Sequence, residues 1–403
     1  MLPVIEIPGI VSGPASFFSA LFWKRQQKHF KEYVTGLIVS SKATISTMNR
    51  LFLDGNDQSS LNKFLTESDW DEKAVNDRRL EMLQRNGITR WKPWGIVAID
   101  DTLCHKTGKD IEGVGEFYDH AEGKCVMAHN LVTSHYSDKE ISYPLDYRLY
   151  HKDGSETAKA YGFRTKIELC IELIHDAMAR HVPAIAFVFD SWFLCEDVAG
   201  AVESYGKAYV APAKSNRIIR VGGAEMNITE YARTVPAEKF RDVKVGGRVY
   251  AAYSFACSMS KLGKVRACIS REKGDVKDFT FFVTNMLDWE EGRMLNTYAK
   301  RWTIDAFYRD AKQELGFEDY QVRKLKGIMR HWYLVFVAYS VLKLGMAKGR
   351  LGRWLDAETI GKACRHVVIA GIRTFLKWTY AKFRENVSID KLMEMLSIKI
   401  AKV

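Results

Sequence analysis

Between Tyr298 and Lys312, the carboxylate Asp305, the cations Arg301, Arg309 and Lys312 and the phenol Tyr298 stand at regular spacing. The five recur at intervals of three, four, four and three residues, so on a helix they share one face. Ile304, Phe307, Ala311 and Leu315 also recur at helical spacing and supply a separate apolar face for a core. The segment therefore predicts one helix carrying two stripes. A carboxylate flanked by cations and a tyrosine suits a metal ion held beside phosphate. A solvated row of ion pairs has the same composition, so the rest of the chain must decide.

Two other segments run into carboxylates. Residues 94–99 form a short, largely apolar run suited to a strand buried on both faces, and Asp100, Asp101 and Thr102 follow it. Residues 184–189 predict a second buried strand, followed by Asp190 and Ser191. A charge at a strand end is common and means little alone. In open sheets, however, chemistry collects at the carboxyl ends of strands. Two such ends plus a helical carboxylate make a candidate constellation. Successive strand residues point to opposite faces, so one of Asp100 and Asp101 would reach a shared ion.

The elements that must position these groups follow from the patterning. Residues 17–85 read as a run of amphipathic helices, with Asp57 and Ser59 placed as caps and Ser68 to Asp71 at capping-box spacing before a further helix. Residues 124–136 and 142–151 read as strands, residues 156–180 as one helix, 194–205 as another, and 208–211 as a strand. From residue 215 to 288 the segments alternate and are punctuated by Gly222-Gly223, Gly246-Gly247 and Gly263, which predicts a β-rich block. Helical pattern resumes near residue 290.

The chain has 403 residues, 47% hydrophobic and 27% charged, a globular composition with room for roughly two or three domains. Its net charge of +11, spread along the whole length, favours a polyanionic partner. Arg323, Lys324 and Lys326, then Arg330 and His331, form a basic stretch suited to phosphate. Seven dispersed cysteines without a Cys-x-x-Cys pair predict neither a disulfide framework nor a zinc site. The first 19 residues lack a basic start before an apolar block, and no apolar run reaches spanning length, so the chain reads as cytoplasmic and free of membrane segments.

The order strand-Asp, two strands, helix, strand-Asp, β-rich block, helix-carboxylate resembles the DDE transposases of bacterial insertion sequences. Within them the chain looks like the cut-and-paste group marked by a Tyr-Arg-Glu-Lys signature. Tyr298, Arg301, position 305 and Lys312 fit every interval of that signature. Asp100-Asp101-Thr102 matches the group's Asp-x-Thr, which favours Asp100, and Phe189-Asp190-Ser191 matches the motif after the later strand. The likeness covers residues 90–345 well and the N-terminal part only in general character. It departs at Asp305, where the family usually has Glu; Asp is one methylene shorter but still a hard oxygen donor. Glu314 is a poor substitute, about half a turn out of phase with Asp305.

The resemblance implies an α/β fold. A ribonuclease H-like catalytic core (91–214 and 289–347) would be interrupted by a β-rich insertion (215–288). An N-terminal helical domain (1–90) for DNA binding or dimerisation would precede it, and a C-terminal helical tail (348–403) would follow. The implied activity is DNA transposition, with cutting at terminal inverted repeats and joining of 3′ ends to target DNA. Two Mg²⁺ ions, for which Mn²⁺ would substitute, would be held by Asp100, Asp190 and Asp305, with Asp101 the alternate. Tyr298, Arg301, Arg309, Lys312, Arg323, Lys324 and Lys326 would face DNA. Partners would be double-stranded DNA, as element ends and as target, and a second copy in a homodimer on paired ends. The setting would be a bacterial cytoplasm, associated with the nucleoid. A ribonuclease H-like nuclease without strand transfer, and a domesticated or decayed descendant that only binds DNA, stay open; Asp305 keeps the second alive.

Overall fold

The structure is a computed structural model that describes residues 3–53, 57–108, 110–274, 279–349 and 357–397. Capping side chains set where the first helices begin. α1 (Gly9–Ala15) and α2 (Lys24–Val39) precede α3 (Ile45–Asn49), α4 (Gln58–Thr66) and α5 (Glu72–Gln84), whose N-caps are Thr44, Asp57 and Asp71. Each cap oxygen accepts an amide that the first helical turn leaves without a partner. Strands β1 (Ile96–His105), β2 (Gly115–Asp119), β3 (Lys124–Ser137) and β4 (Ser142–Tyr150) follow. Next come α6 (Glu156–Tyr161), α7 (Lys166–Ala179), β5 (Ala186–Phe189), α8 (Glu196–Ser204) and β6 (Ala208–Ala213). β7 (Ile218–Val221), β8 (Ala224–Asn227), α9 (Ile228–Thr234), β9 (Arg241–Val245), β10 (Arg248–Met259), β11 (Gly263–Glu272) and β12 (Thr280–Thr284) make the glycine-punctuated block. α10 (Glu291–Ala299), α11 (Trp302–Glu314), α12 (Leu325–Gly349), α13 (Ile360–Arg384) and α14 (Ile389–Ser397) are the last elements described.

The single helix expected over residues 156–180 is two. Gly162 adopts φ 85°, a left-handed value that ends α6, and Thr165 with Glu168 forms a capping box that starts α7.

The chain divides into two units. One comprises residues 1–90, 104–129 and 307–403. Its centre is α12, largely apolar and buried along most of its length; Trp332, Phe336 and Tyr339 are no more than 1% exposed. α2, α4 and α5 pack around it. Phe22, Phe30, Phe64 and Trp70 form an aromatic cluster beside it, with ring centroids 4.9 Å apart for Phe22–Phe30 and 5.2 Å for Phe64–Trp70. Among the described residues no helix is long and apolar enough to cross a membrane.

Arg330 and His331 belong to this core, which corrects their reading as a phosphate-contacting pair. Arg330 donates to the carbonyls of Leu65 (2.9 Å), Ser68 (2.8 Å) and Trp70, pairs with Glu72 at 3.3 Å, and stacks on Trp70. These carbonyls lie at and beyond the end of α4, where helical acceptors lack amide partners. His331 bonds the Tyr33 hydroxyl at 2.8 Å and the Gly316 carbonyl at 2.9 Å.

The other unit comprises residues 91–103 and 130–306. Its strands lie in the order β4-β3-β1-β5-β6-β12-β11-β10-β7-β8, with β9 also on β10. The first five are the ribonuclease H-like core: β3 and β4 pair antiparallel, and β1, β5 and β6 run parallel. Ile96, Val97, Ala98 and Ile99, and all of β5, are fully buried, as a strand covered on both faces requires. β12 pairs antiparallel with β6, so the block from β7 to β12 extends the same sheet.

Arg330→Met should lower the unfolding free energy by about 2–4 kcal/mol, because several buried acceptors lose their donor. Urea unfolding reads this.

Candidate active site

β1 and β5 are paired in register from Ile96↔Ala186 to Ile99↔Phe189. Asp100 and Asp190 each come next, so two carboxylates emerge side by side where adjacent buried strands end their pairing. Asp305 lies in the first turn of α11, where the helix dipole favours negative charge.

The signature segment is not one helix. α10 stops at Ala299 and α11 begins at Trp302. Between them the bonds tighten to three-residue spacing. The Arg301 N–H donates to the Tyr298 carbonyl (2.8 Å), the Thr303 N–H to Lys300 (3.2 Å) and the Ile304 N–H to Arg301 (2.9 Å). The Thr303 hydroxyl also donates to the Lys300 carbonyl at 2.8 Å, a local bond that competes with the helical ladder. Arg301 therefore sits in a break and not on a continuous helical stripe.

Arg301 supplies the nearest countercharge. Its guanidinium donates to Asp100 Oδ2 and lies 3.5 Å from Asp305 Oδ2. Lys166, the first residue of α7, holds Asp101 Oδ2 at 2.7 Å. Asp190 is fixed by backbone: its Oδ1 accepts the N–H groups of Trp192 (2.9 Å) and Phe193 (3.3 Å). Four carboxylates thus share two cations. Burial pushes the Asp100 carboxyl up to about 7; Arg301 opposes this, while Asp101, Asp190 and Asp305 add to it. Burial also raises Asp190 and Asp305. Arg301 stays charged against its own burial because Tyr298, Asp100 and Asp305 surround it. Tyr298 packs on Phe282 with ring centroids 4.8 Å apart.

This donor set fits a divalent cation. Every donor is a hard oxygen, the groups carry more negative than positive charge, and Asp305 Oδ2 is buried without a hydrogen bond. Among the described residues the oxygens of Asp100, Asp190 and Asp305 do not all close to within 4.8 Å of one another. His105, Asp119 and Glu122, in the other unit, do approach that closely. There the imidazole already uses Nε2 on Asp119 (2.7 Å) and turns Nδ1 to Glu122 (3.5 Å), while Lys124 pairs with Glu122 at 2.7 Å. Those charges are answered within the cluster.

The other expected residues belong to that second unit and are described there. Arg309 is exposed and lies 3.5 Å from Asp310; Lys312 pairs with Glu318 at 3.6 Å. Arg323, Lys324 and Lys326 are exposed. Glu314 lies against Gly361. Three residues at the site escaped sequence reasoning. Lys166 gave no signal, being a lone lysine far from Asp101 in the chain. Trp192 and Trp302 are 63% and 67% exposed; their place next to Asp190-Ser191 and Arg301 was the available clue.

The chain belongs to the DDE superfamily endonucleases: residues 16–239, more than half its length, match that family. Residues 147–352 also match the family described as "Archaeal putative transposase ISC1217". No curated protein matches. A cryo-EM structure of a piggyBac transposase synaptic complex with hairpin DNA is similar at a TM-score of 0.48 and 11% identity, over 95% of this chain and 81% of that one.

The Asp100 proton yields a test. Unfolded, the carboxyl titrates near 3.8; folded, near 7. Its contribution to stability is full below the unfolded value and lost as pH rises through the folded one. In metal-free buffer Asp100→Asn should therefore gain melting temperature on wild type progressively from about pH 4 to about pH 7. A difference that stays constant with pH would remove the carboxylate cluster as its cause.

Proposed function

We propose that the protein is a DNA transposase that cuts at the terminal inverted repeats of its own element and joins the 3′ ends to target DNA. The observation that carries this reading is the grouping of Asp100 and Asp190, which follow the paired stretch of β1 and β5, with Asp305 and Arg301, and with Asp101 held by Lys166. The intervals from Tyr298 to Lys312 support the Tyr-Arg-Glu-Lys group, with Asp305 as the third carboxylate.

Asp100, Asp190 and Asp305 would hold Mg²⁺, or Mn²⁺ in its place, which supplies charge neutralisation at the phosphate and an acidified water. The chain's own residues do the rest. Arg301 is pre-charged and pre-positioned, and its planar guanidinium suits a phosphate in two-point contact once the carboxylates find another partner. Lys166 holds Asp101, and Asp100 is the residue assigned to the metal. Tyr298 is held by Phe282 beside the guanidinium. Trp192 and Trp302 offer exposed faces on which an unpaired base can stack. Lys312, Arg309 and the Arg323–Lys326 stretch add phosphate contacts. The enzyme would act as a homodimer on paired ends.

One observation favours a second reading, a descendant that only binds DNA. Arg301 engages both Asp100 and Asp305, which is also how a protein without metal chemistry would quench them.

Cleavage of end DNA in Mg²⁺ and in Mn²⁺ separates the two. Asp190→Ala and Asp305→Asn should cut at least about a hundredfold more slowly and still bind DNA, because each removes one charged ligand. Asp305→Glu, which restores the usual family residue, should match or exceed wild type. Wild type inert with both metals would favour the binding-only reading.

Binding itself should weaken steeply with salt. Arg301→Ala and Lys312→Ala should each flatten the plot of log affinity against log salt by about one unit. An unchanged slope in both would place these cations in internal ion pairs.

A further inference from the structure

Asp100 and Asp101 are neighbours in the chain but have different cations. Successive residues of a strand point to opposite faces, and the two carboxylates are answered from two different helical segments. Arg301, in the break between α10 and α11, pairs with Asp100 and Asp305. Lys166, the first residue of α7, pairs with Asp101 Oδ2 at 2.7 Å. The Lys166 and Asp101 side chains are 25% and 27% exposed, so the pair is shielded from most of the solvent that screens a surface ion pair. The end of α7 that carries Lys166 is fixed. Thr165 caps it in a capping box with Glu168, α7 packs on β4 and α8, and the Lys166 ammonium lies 5.7 Å from the centre of the Tyr150 ring. A cation in a first helical turn works against the helix dipole. The helix therefore gives no reason for a lysine at this position; the carboxylate of Asp101 does.

Asp101 is near enough to the other carboxylates to matter to an ion among them, since its charge is one of the causes that raise both Asp100 and Asp190. A fourth carboxylate changes which ion such a site prefers. Mg²⁺ keeps several waters and takes one or two carboxylates together with substrate phosphate, whereas Ca²⁺ gathers six to eight oxygens in a looser shell. Each carboxylate added to a shared site favours Ca²⁺ and leaves fewer positions for water and phosphate. Withholding one has the opposite effect.

We propose that Lys166 determines the ion specificity of the site: by occupying Asp101 it limits the metal ligands to Asp100, Asp190 and Asp305, and so favours Mg²⁺ over Ca²⁺. Lys166 acts through Asp101 and is a positioning residue. The proposal rests on the metal-dependent transposase reading and adds to it the choice of ion.

Mn²⁺ binding to the full chain without DNA, read by electron paramagnetic resonance of the free ion, tests it when followed by displacement with Ca²⁺ and with Mg²⁺. Binding that is lost in Asp190→Ala belongs to this site. Lys166→Met keeps the length of the side chain and removes its charge. It should tighten Ca²⁺ by about tenfold, because one cation is lost and one carboxylate is freed. Mg²⁺ should gain less, so the preference for Mg²⁺ over Ca²⁺ falls. Lys166→Arg should stay near wild type. Lys166→Met combined with Asp101→Asn should return to the wild-type preference, because the freed carboxylate is gone. A lysine with a merely structural role predicts equal or weaker binding of every ion in Lys166→Met, and that result overturns the proposal. So does a shift in preference that survives Asp101→Asn. A wild type that binds no Mn²⁺ at this site removes the metal reading and the proposal with it, whereas a wild type that binds Mn²⁺ beside a Lys166→Met variant of unchanged preference overturns the proposal alone.

Discussion

Three carboxylates on or directly after adjacent strands of a buried sheet and a fourth on α11 repel one another, and the rest of the site answers that repulsion. Strand register forces the problem, since β1 and β5 pair through Ile99↔Phe189 and deliver Asp100 and Asp190 together. Arg301 and Lys166 answer part of it. The first turn of α11 answers a little more through its dipole, and the backbone amides of Trp192 and Phe193 hold Asp190. The remainder is visible in Asp100, whose proton is retained to about 7. Under the proposed function, metal ions would supply the positive charge that the site lacks.

The block between β6 and α10 belongs to the same mechanical unit as the carboxylates. β12 is the neighbour of β6, and its Phe282 supports Tyr298 at the end of α10. Glu291, on the first turn of α10, accepts the Ser254 hydroxyl at 2.7 Å; Arg266 donates to that same hydroxyl and to the Leu287 carbonyl. The break that carries Arg301 is thus braced by the block that interrupts the core in sequence. Movement in that block would reach Arg301 through Tyr298 and α10.

Much of this was legible in the chain because burial writes itself into composition. Fully enclosed parallel strands must be apolar, so residues 96–99 and 186–189, and the aspartates after them, stood out. The interval from Arg301 to Asp305 also survived into three dimensions, as an ion pair. What the pattern hid depends on single local or distant contacts. The helix break at residues 300–301 rests on a hydroxyl and a run of tightened bonds, which leave the apolar spacing intact. Arg330 looks like a surface cation, yet it is buried because loop carbonyls 260 or more residues earlier need its donors. Lys166 reaches Asp101 across 65 residues, and no periodicity reports such a pairing.

Asp100, Asp190 and Asp305 are proposed as a metal site whose positive charge Arg301 supplies in the metal's absence. Anomalous diffraction at the manganese edge, from crystals soaked in Mn²⁺, tests it directly. The predicted result is a peak bound by oxygens of Asp100 and Asp190 or Asp305, with Arg301 withdrawn from Asp100. A peak only at His105, Asp119 and Glu122, or Arg301 still seated on Asp100 with no manganese beside it, would contradict the claim.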